Sequence, residues 1–452
     1  MTFQEMGLSE RLLKSLDHAG FEAPTPIQAG AIGPALLGKD IVGCAATGTG
    51  KTAAFLLPII EQLERRPHFH QRKTRVLILA PTRELALQIG EQAQRFGTDQ
   101  IRSAVVIGGV GMGPQTDAFK KGVEFIIATP GRLNDHLDSG SAKLDGIEFL
   151  VLDEADRMLD MGFKPQLDRI LARVPKQRQT FLFSATMGGE VGDFAARHLK
   201  APVKVEIARS GTTAERATQQ VFLVGQEEKL ALLLALLEQD GLSTLVFTRT
   251  KRRADKVAKM LARGGHKAAV IHADRSQGQR KHALDAFKSG EARVLVATDI
   301  AARGIDVADI GHVINFDLPH VPEDYVHRIG RTARHEASGR ASSFASPDEH
   351  DLLRGIEKLT RKSVARAAVP RESEAFQSEV KRGTAAREKN FQNAPQRPHG
   401  GGGGGRRPQG GGGGPRRQGG GGGRSSGGGG GGGKSSGGGG ITSGSWGPKR
   451  RR

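Results

Sequence analysis

Short apolar runs recur along the first 370 positions, separated by longer stretches whose apolar residues fall three and four apart. The runs 41–45, 75–80, 103–107, 124–128, 149–153 and 180–183 predict strands. Between them lie helical periods such as Glu84-Leu85-Ala86-Leu87-Gln88-Ile89. Alternation of this kind predicts a parallel sheet covered by helices on both faces. A polar, strand-poor stretch at 208–216 then interrupts the pattern and reads as a linker. Beyond it the pattern restarts, with strands expected at 220–224, 244–248, 268–272, 293–298 and 312–316. Helices are expected at 229–238 and 251–263, and a last one at 349–360. The fold class is therefore α/β, with two tandem parallel-sheet domains, a flexible linker between them and a disordered C-terminal tail. The expected boundaries are an N-terminal region 1–28, a first domain 29–208, a linker 209–216, a second domain 217–370 and a tail 371–452.

The tail is expected to be disordered because of its composition. Of the 62 residues from 391 to 452, 29 are Gly, mixed with Arg-Arg pairs, Ser and Gln. Such a segment cannot bury enough apolar area to offset its backbone entropy. It also carries 11 of the 19 net positive charges, leaving 8 to the preceding 390 residues. A polyanion is the natural partner of both parts. The tail has almost no apolar residue to insert into lipid, so nucleic acid fits better than a membrane surface. No apolar run approaches the ~20 residues a membrane span needs, and the N-terminus lacks the basic and apolar regions of an export signal. A cytoplasmic protein is expected. The single Cys44 leaves no internal disulfide framework and no Cys-rich zinc site.

Two places carry chemistry on their face. Residues Ala45, Ala46, Thr47, Gly48, Thr49, Gly50, Lys51 and Thr52 follow the first apolar strand. A glycine-rich loop between a strand and a helix presents backbone N–H groups and the positive end of a helix dipole to a polyphosphate. Lys51 would reach the β- and γ-phosphates, and the Thr52 hydroxyl would hold Mg²⁺. Ala45 stands where such loops usually begin with Gly, so that position should need no positive φ. About a hundred residues later, another apolar strand ends in Asp153-Glu154-Ala155-Asp156 and delivers carboxylates to a metal. Together the two predict a nucleotide triphosphatase. The second domain has no such loop, which suggests that it contributes from across a cleft.

Further ordered motifs carry a family resemblance. They are Gly20-Phe21-Glu22-Ala23-Pro24-Thr25-Pro26-Ile27-Gln28, Pro81-Thr82-Arg83-Glu84-Leu85-Ala86, Gly108-Gly109, Thr129-Pro130-Gly131-Arg132 and Ser184-Ala185-Thr186. The second half adds Val246-Phe247-Thr248-Arg249-Thr250, the run from Thr298 through Asp299 to Asp306, and His327-Arg328-Ile329-Gly330-Arg331-Thr332-Ala333-Arg334. From residue 1 to about 370 the chain resembles the DEAD-box ATP-dependent RNA helicases, which carry two RecA-like domains. Its glycine-rich basic tail is similar to that of the bacterial RhlE-type branch. Ala273 and Ala333 replace glycines common in the family, small for small.

The resemblance implies roles for particular residues. Gln28 would pair with the adenine edge and Phe21 would stack on its face, selecting ATP; read alone, Gln28 is simply a residue at a helix start. Asp153 would hold Mg²⁺ through water, and Glu154 would orient and deprotonate the attacking water. Arg331 and Arg334, three apart on an expected helix 323–332, would act as arginine fingers, and Asp306 would accept the ribose hydroxyls. Ser184 and Thr186 would couple the nucleotide site to RNA. RNA contacts would come from Arg83, Gly109, Thr129 and Arg132 in the first domain and from Arg280 and Thr298 in the second. Single strands and short duplexes of RNA would be the ligands, with ribosomal or degradation complexes among the family's partners, and a monomer is expected. A DNA-directed helicase, an ATP-gated RNA clamp or annealer, and a pure RNA-binding scaffold remain as alternatives at this stage.

Overall fold

The structure, a computed structural model, describes residues 2–45, 48–66, 73–97, 101–207, 217–302, 310–332 and 339–392. The expected linker 209–216 and the tail from 393 onward lie outside the described residues, as do Ala46, Thr47, Asp306 and Arg334.

Among the described residues the strands form two seven-stranded sheets. The first contains β1 (Ile41–Cys44), β2 (Val76–Leu79), β3 (Ser103–Val106), β4 (Phe125–Ala128), β5 (Phe149–Leu152), β6 (Gln179–Ser184) and β7 (Val203–Glu206). Their order is β3-β4-β2-β5-β6-β1-β7, and every pairing is parallel. Alternate residues of one strand enter different cores: Val76 and Ile78 join one cluster, Leu77 and Leu79 the other. Burial on both faces is why these strands are continuous apolar runs rather than apolar–polar alternations.

The second sheet contains β8 (Thr218–Leu223), β9 (Thr244–Phe247), β10 (Ala268–Ile271), β11 (Val294–Ala297), β12 (His312–Asn315), β13 (Arg340–Ala345) and β14 (Ala365–Ala367). Its order, β10-β11-β9-β12-β13-β8-β14, is again all parallel. Parallel neighbours need crossover helices, and the helices fall between the strands in sequence.

Three expectations are corrected. The N-terminal region 1–28 is not a separate unit: Phe3, Met6, Leu8, Leu12, Leu16 and Ile27 join one core of the first sheet. The Ser9 N–H donates to Glu61 at 2.8 Å and ties that region to the helix Lys51–Arg65. Strands β7, β13 and β14 were not expected. Strand β13 hides Ser342 and Ser343, whose hydroxyls meet His312, Gln220 and Asn315, so its polar sequence is satisfied inside the sheet. Ordered structure also continues past residue 370. A helix, Glu374–Gln392, packs Phe376 against the apolar helix Lys229–Gln239, and Arg371 forms a two-pronged ion pair with Glu228.

Candidate functional site

The site grows from the carboxyl ends of the first sheet's strands, the edge where open α/β sheets take ligands. After β1 the chain turns at Gly48 and Gly50, both with φ near +86 to +88°, and Lys51 opens the helix Lys51–Arg65. Ala45 takes no left-handed conformation, as expected. A Cβ on Gly50 would lie 2.4 Å from Gln28 Nε2, so only glycine permits this approach. Gln28 is fully buried, and its amide works at both ends. Its oxygen accepts the Thr25 N–H at 2.9 Å, capping the helix Pro26–Leu36, and its Nε2 donates to the Gly50 carbonyl at 3.1 Å. The helix-start reading of Gln28 is therefore realised here, with the same side chain bracing the glycine loop. Phe21 lies edge-on to Phe3 and Phe96, packed against the core of the first lobe.

Lys51 is only 6% exposed, and its Nζ has no hydrogen-bond partner among the described residues. A buried ammonium left without a partner is costly unless a ligand supplies one. Asp153, after β5, is 2% exposed. Burial pushes its carboxyl up to about 6, with the Lys51 charge acting against that rise and Glu154 adding to it. Glu154 sits in the left-handed region at φ 52° and opens the helix Ala155–Asp160. A non-glycine residue held there costs of order 1–3 kcal/mol, a strain that collects at functional sites. Among the described residues no three His, Cys, Asp or Glu side chains cluster tightly enough to hold a metal alone. Mg²⁺ takes one or two protein oxygen ligands and completes its shell with water and phosphate, and the Thr52 hydroxyl and the Asp153 carboxylate are oxygen donors of that kind.

Asp156, for which the sequence offered no role, joins two motifs. Its Oδ2 accepts the Ala185 N–H at 2.9 Å. Ser184 is buried, donates to the Thr186 carbonyl at 2.5 Å and accepts the Thr186 N–H. Its own carbonyl accepts the Ala45 N–H at 3.0 Å, so the Ser-Ala-Thr turn is bonded both to the phosphate loop and to the carboxylate motif.

The second lobe meets the first at this edge. Arg157 of the first lobe and Phe247, Asp299, Asp324, His327, Arg328 and Arg331 of the second line a small open pocket. The helix expected at 323–332 is corrected to Pro322–Ile329, so Arg331 lies past its Gly330 cap and not on a helical face; Arg334 lies outside the described residues. Arg331 is nevertheless buried on the pocket wall. Arg328 fixes that wall. It grips Asp299 with two N–H groups, donates to Asn315 and to the Asp317 carbonyl, and stacks 5.0 Å over Phe247.

The expected RNA contacts fall in two sets. Arg83 opens the helix Arg83–Phe96 and crowds Gly109, where an added Cβ would lie 2.1 Å from its guanidinium. Thr129 immediately precedes the helix Pro130–Asp138, and Arg132 donates to the Val110 carbonyl at 2.8 Å. In the second lobe Thr298 follows β11, and Arg280 is engaged with the first lobe. It is 5% exposed and donates to Glu84 of the first lobe at 2.6 Å. Burial lowers its pKa, and the Glu84 carboxylate opposes that shift.

Comparison with known proteins gives the family. A DEAD/DEAH box helicase model matches residues 25–194, and a helicase conserved C-terminal domain model matches residues 228–336. The chain is 43% identical over 382 residues to the ATP-dependent RNA helicase CshA of Limosilactobacillus reuteri, spanning 84% of this chain and 76% of that protein. It is 42% identical over 380 residues to the DEAD-box ATP-dependent RNA helicase CshA of Geobacillus kaustophilus, spanning 84% and 80%. Among solved structures it resembles S. cerevisiae Dbp5 bound to RNA and ADP BeF3, with 30% identity and a TM-score of 0.71 over 84% of this chain and 99% of that one. It also resembles Mss116p bound to ssRNA and AMP-PNP, with 28% identity and a TM-score of 0.76 over 84% and 81%. The chain belongs to the DEAD-box ATP-dependent RNA helicases.

Proposed function

We propose that this ATP-dependent RNA helicase binds RNA without reading its sequence and opens short duplexes locally as its two lobes close around ATP. The observation that carries the reading is the buried Lys51 ammonium, which has no hydrogen-bond partner among the described residues, beside an Asp153 carboxyl that burial pushes up to about 6. Both groups are prepared for charges that only a ligand brings. Lys51 would bind the β- and γ-phosphates, and Asp153 with the Thr52 hydroxyl would hold Mg²⁺. That ion, when bound, neutralises phosphate charge. Glu154 would orient and deprotonate the attacking water. Arg331, with Arg334, would reach the γ-phosphate from the second lobe, a contribution worth about 10³–10⁵ in rate in related systems. Gln28, Phe21 and Asp306 would bind the nucleoside, and Ser184 with Thr186 would relay its state.

Arg83, Gly109, Thr129, Arg132 and Thr298 would hold the RNA backbone through guanidinium, hydroxyl and N–H groups, which position a strand without reading bases. Arg280 would act there too, beside the Glu84 it already engages. ATP and RNA would each favour the closed arrangement, so each tightens the other. The first lobe is taken to end near 208, the linker to run 209–216 and the basic tail to tether RNA. The RhlE-type branch is proposed from that tail, whereas the relatives named above are CshA proteins. Residence in the cytoplasm is proposed from the sequence; no helix among the described residues is long and apolar enough to cross a membrane.

The test compares strand separation and ATPase rate on short blunt RNA duplexes and on matching DNA duplexes. Separation of RNA alone, coupled to hydrolysis, is expected. Equal action on DNA would favour the DNA-directed alternative, and hydrolysis without separation would favour a clamp.

A further inference from the structure

The helix Lys251–Arg263, which follows β9, has two faces of opposite character. Ala254, Val257, Ala258 and Leu261 are buried in a core of the second sheet. Arg252, Lys256, Lys259 and Arg263 are all exposed, and their spacing of four, three and four residues stacks them in one row on the opposite side. At 1.5 Å per residue the row is roughly 16 Å long. None of the four forms an ion pair among the described residues, and Arg263 rests on the Met260 sulfur at 3.8 Å. The one carboxylate of this helix, Asp255, is held elsewhere: it meets His272 Nε2 at 3.1 Å and Arg275 of the loop after β10. Lys251, at the helix start, is neutralised by Asp274 of the same loop at 2.6 Å. The row is therefore a stripe of one sign. It begins at the carboxyl edge of the second sheet, beside the loop that leads into the helix Gln277–Lys288 bearing Arg280. A basic amphipathic helix can also lie on a membrane, but that needs a free apolar face, and here the core has taken it.

We propose that this stripe is a second RNA-binding surface outside the seam, taking the phosphate backbone of the duplex that flanks the bound strand. A straight row of cations suits a duplex, whose phosphates already lie in a regular row. A free strand would lose conformational entropy to match it. Lysine and arginine contacts to phosphate position the RNA and carry no base sequence. RNA crossing Thr298 and Arg280 leaves the seam at the carboxyl edge where the stripe starts, so its continuation meets Arg252 first and Arg263 last. Holding the flank on one lobe gives closure a fixed duplex from which to bend the seam strand away. This inference rests on the proposed RNA path across Arg280 and Thr298.

The test measures equilibrium binding of the full chain to two RNAs, a short single strand and the same strand running into a duplex, over a range of salt. The stripe variant is Arg252→Gln/Lys256→Gln/Lys259→Gln/Arg263→Gln, and a charge-matched control is Lys39→Gln/Lys143→Gln/Lys176→Gln/Lys200→Gln. The control lysines are exposed and precede β1, β5, β6 and β7, at the edge of the first sheet away from the ligand side. Glutamine matches lysine in helix propensity, so the stripe variant should fold. It should lose about tenfold in affinity for the duplex-flanked RNA while binding the short strand within about twofold of the parent. Its salt slope on the flanked RNA should fall by about 1 for each phosphate contact removed. The control should bind both RNAs as the parent does. In the parent, the flanked RNA should shield Lys256 and Lys259 from acetylation and leave Lys39 and Lys143 open, a readout that needs no variant. Equal losses in the stripe and control variants, or losses alike on both RNAs, would reduce the stripe to general charge and overturn the proposal. Unchanged binding with unshielded lysines would overturn it too, leaving the face to an acidic protein partner. Arg83→Gln/Thr298→Val reads the path itself: normal binding of the short strand by that variant removes the path, whatever the stripe variant does.

Discussion

Glu84 of the first lobe and Arg280 of the second form a buried ion pair, with Nη2 and Oε2 2.6 Å apart. Glu84 lies in the motif that also supplies Arg83, and Arg83 presses on Gly109. The pair thus joins the two lobes at the surface assigned to RNA.

Breaking such a pair from one side strands the other charge, which costs on the order of 3–5 kcal/mol when the site stays buried. Glu84→Gln and Arg280→Gln should therefore each weaken the closed arrangement. Distance between fluorophores on the two lobes should lengthen for both variants in ATP and RNA. The double variant should lose no more than the worse single one. Additive losses would mean that the two side chains act separately.

Glu154→Gln should bind ATP and RNA normally yet lose turnover, because the amide keeps the shape of the carboxylate and cannot take a proton. Trapping of a labelled RNA in the presence of ATP reads the first half, and phosphate release reads the second. Ordinary hydrolysis by this variant would take Glu154 out of its assigned role.

The ion pair and this carboxylate differ in how far the sequence disclosed them. The strand-ending positions of Lys51, Asp153, Glu154 and Ser184 were legible because buried parallel strands are continuous apolar runs and their carboxyl ends are fixed by topology. Strand β13 was not, since Arg340–Ala345 draws its stability from serine hydroxyls bonded inside the sheet. The pairing of Arg280 with Glu84, 196 positions away, was not legible, because nothing in a linear chain shows that the two come within reach. The helical placing of Arg331 failed at Gly330, where the helix ends.

His312, at the start of β12, provides a pH handle on the second lobe. Burial holds its imidazole down to about 4, with Asp240 opposing that shift and Arg340 adding to it. Its Nε2 meets the Ser342 hydroxyl at 2.8 Å. The folded pKa lies below the unfolded value of about 6.5, so its contribution is fully present above pH 6.5 and is lost as pH falls toward 4. The amount is on the order of 3 kcal/mol. Thermal unfolding followed between pH 7 and 4 should fall less steeply for His312→Gln than for the parent. Parallel curves would show that acid acts elsewhere.

Two truncations separate the helix Glu374–Gln392 from the residues beyond it. Ending the chain after Pro370 removes Phe376 from the core it shares with Leu232, Leu233 and Leu236, together with the Arg371–Glu228 pair. Loss of a buried phenylalanine alone costs about 3–5 kcal/mol, so this truncation should lower the unfolding temperature of the second lobe. Ending it after Gln392 keeps every described residue and deletes all eleven Lys and Arg that follow. Unfolding should then be unchanged, while RNA affinity falls and its dependence on salt flattens, since each lost phosphate contact releases fewer counterions. ATP hydrolysis at saturating RNA should persist, because the catalytic groups all precede the cut. A salt dependence unaltered by the second truncation would make the tail a spacer, and equal melting of the two truncated chains would remove the helix from the folded domain.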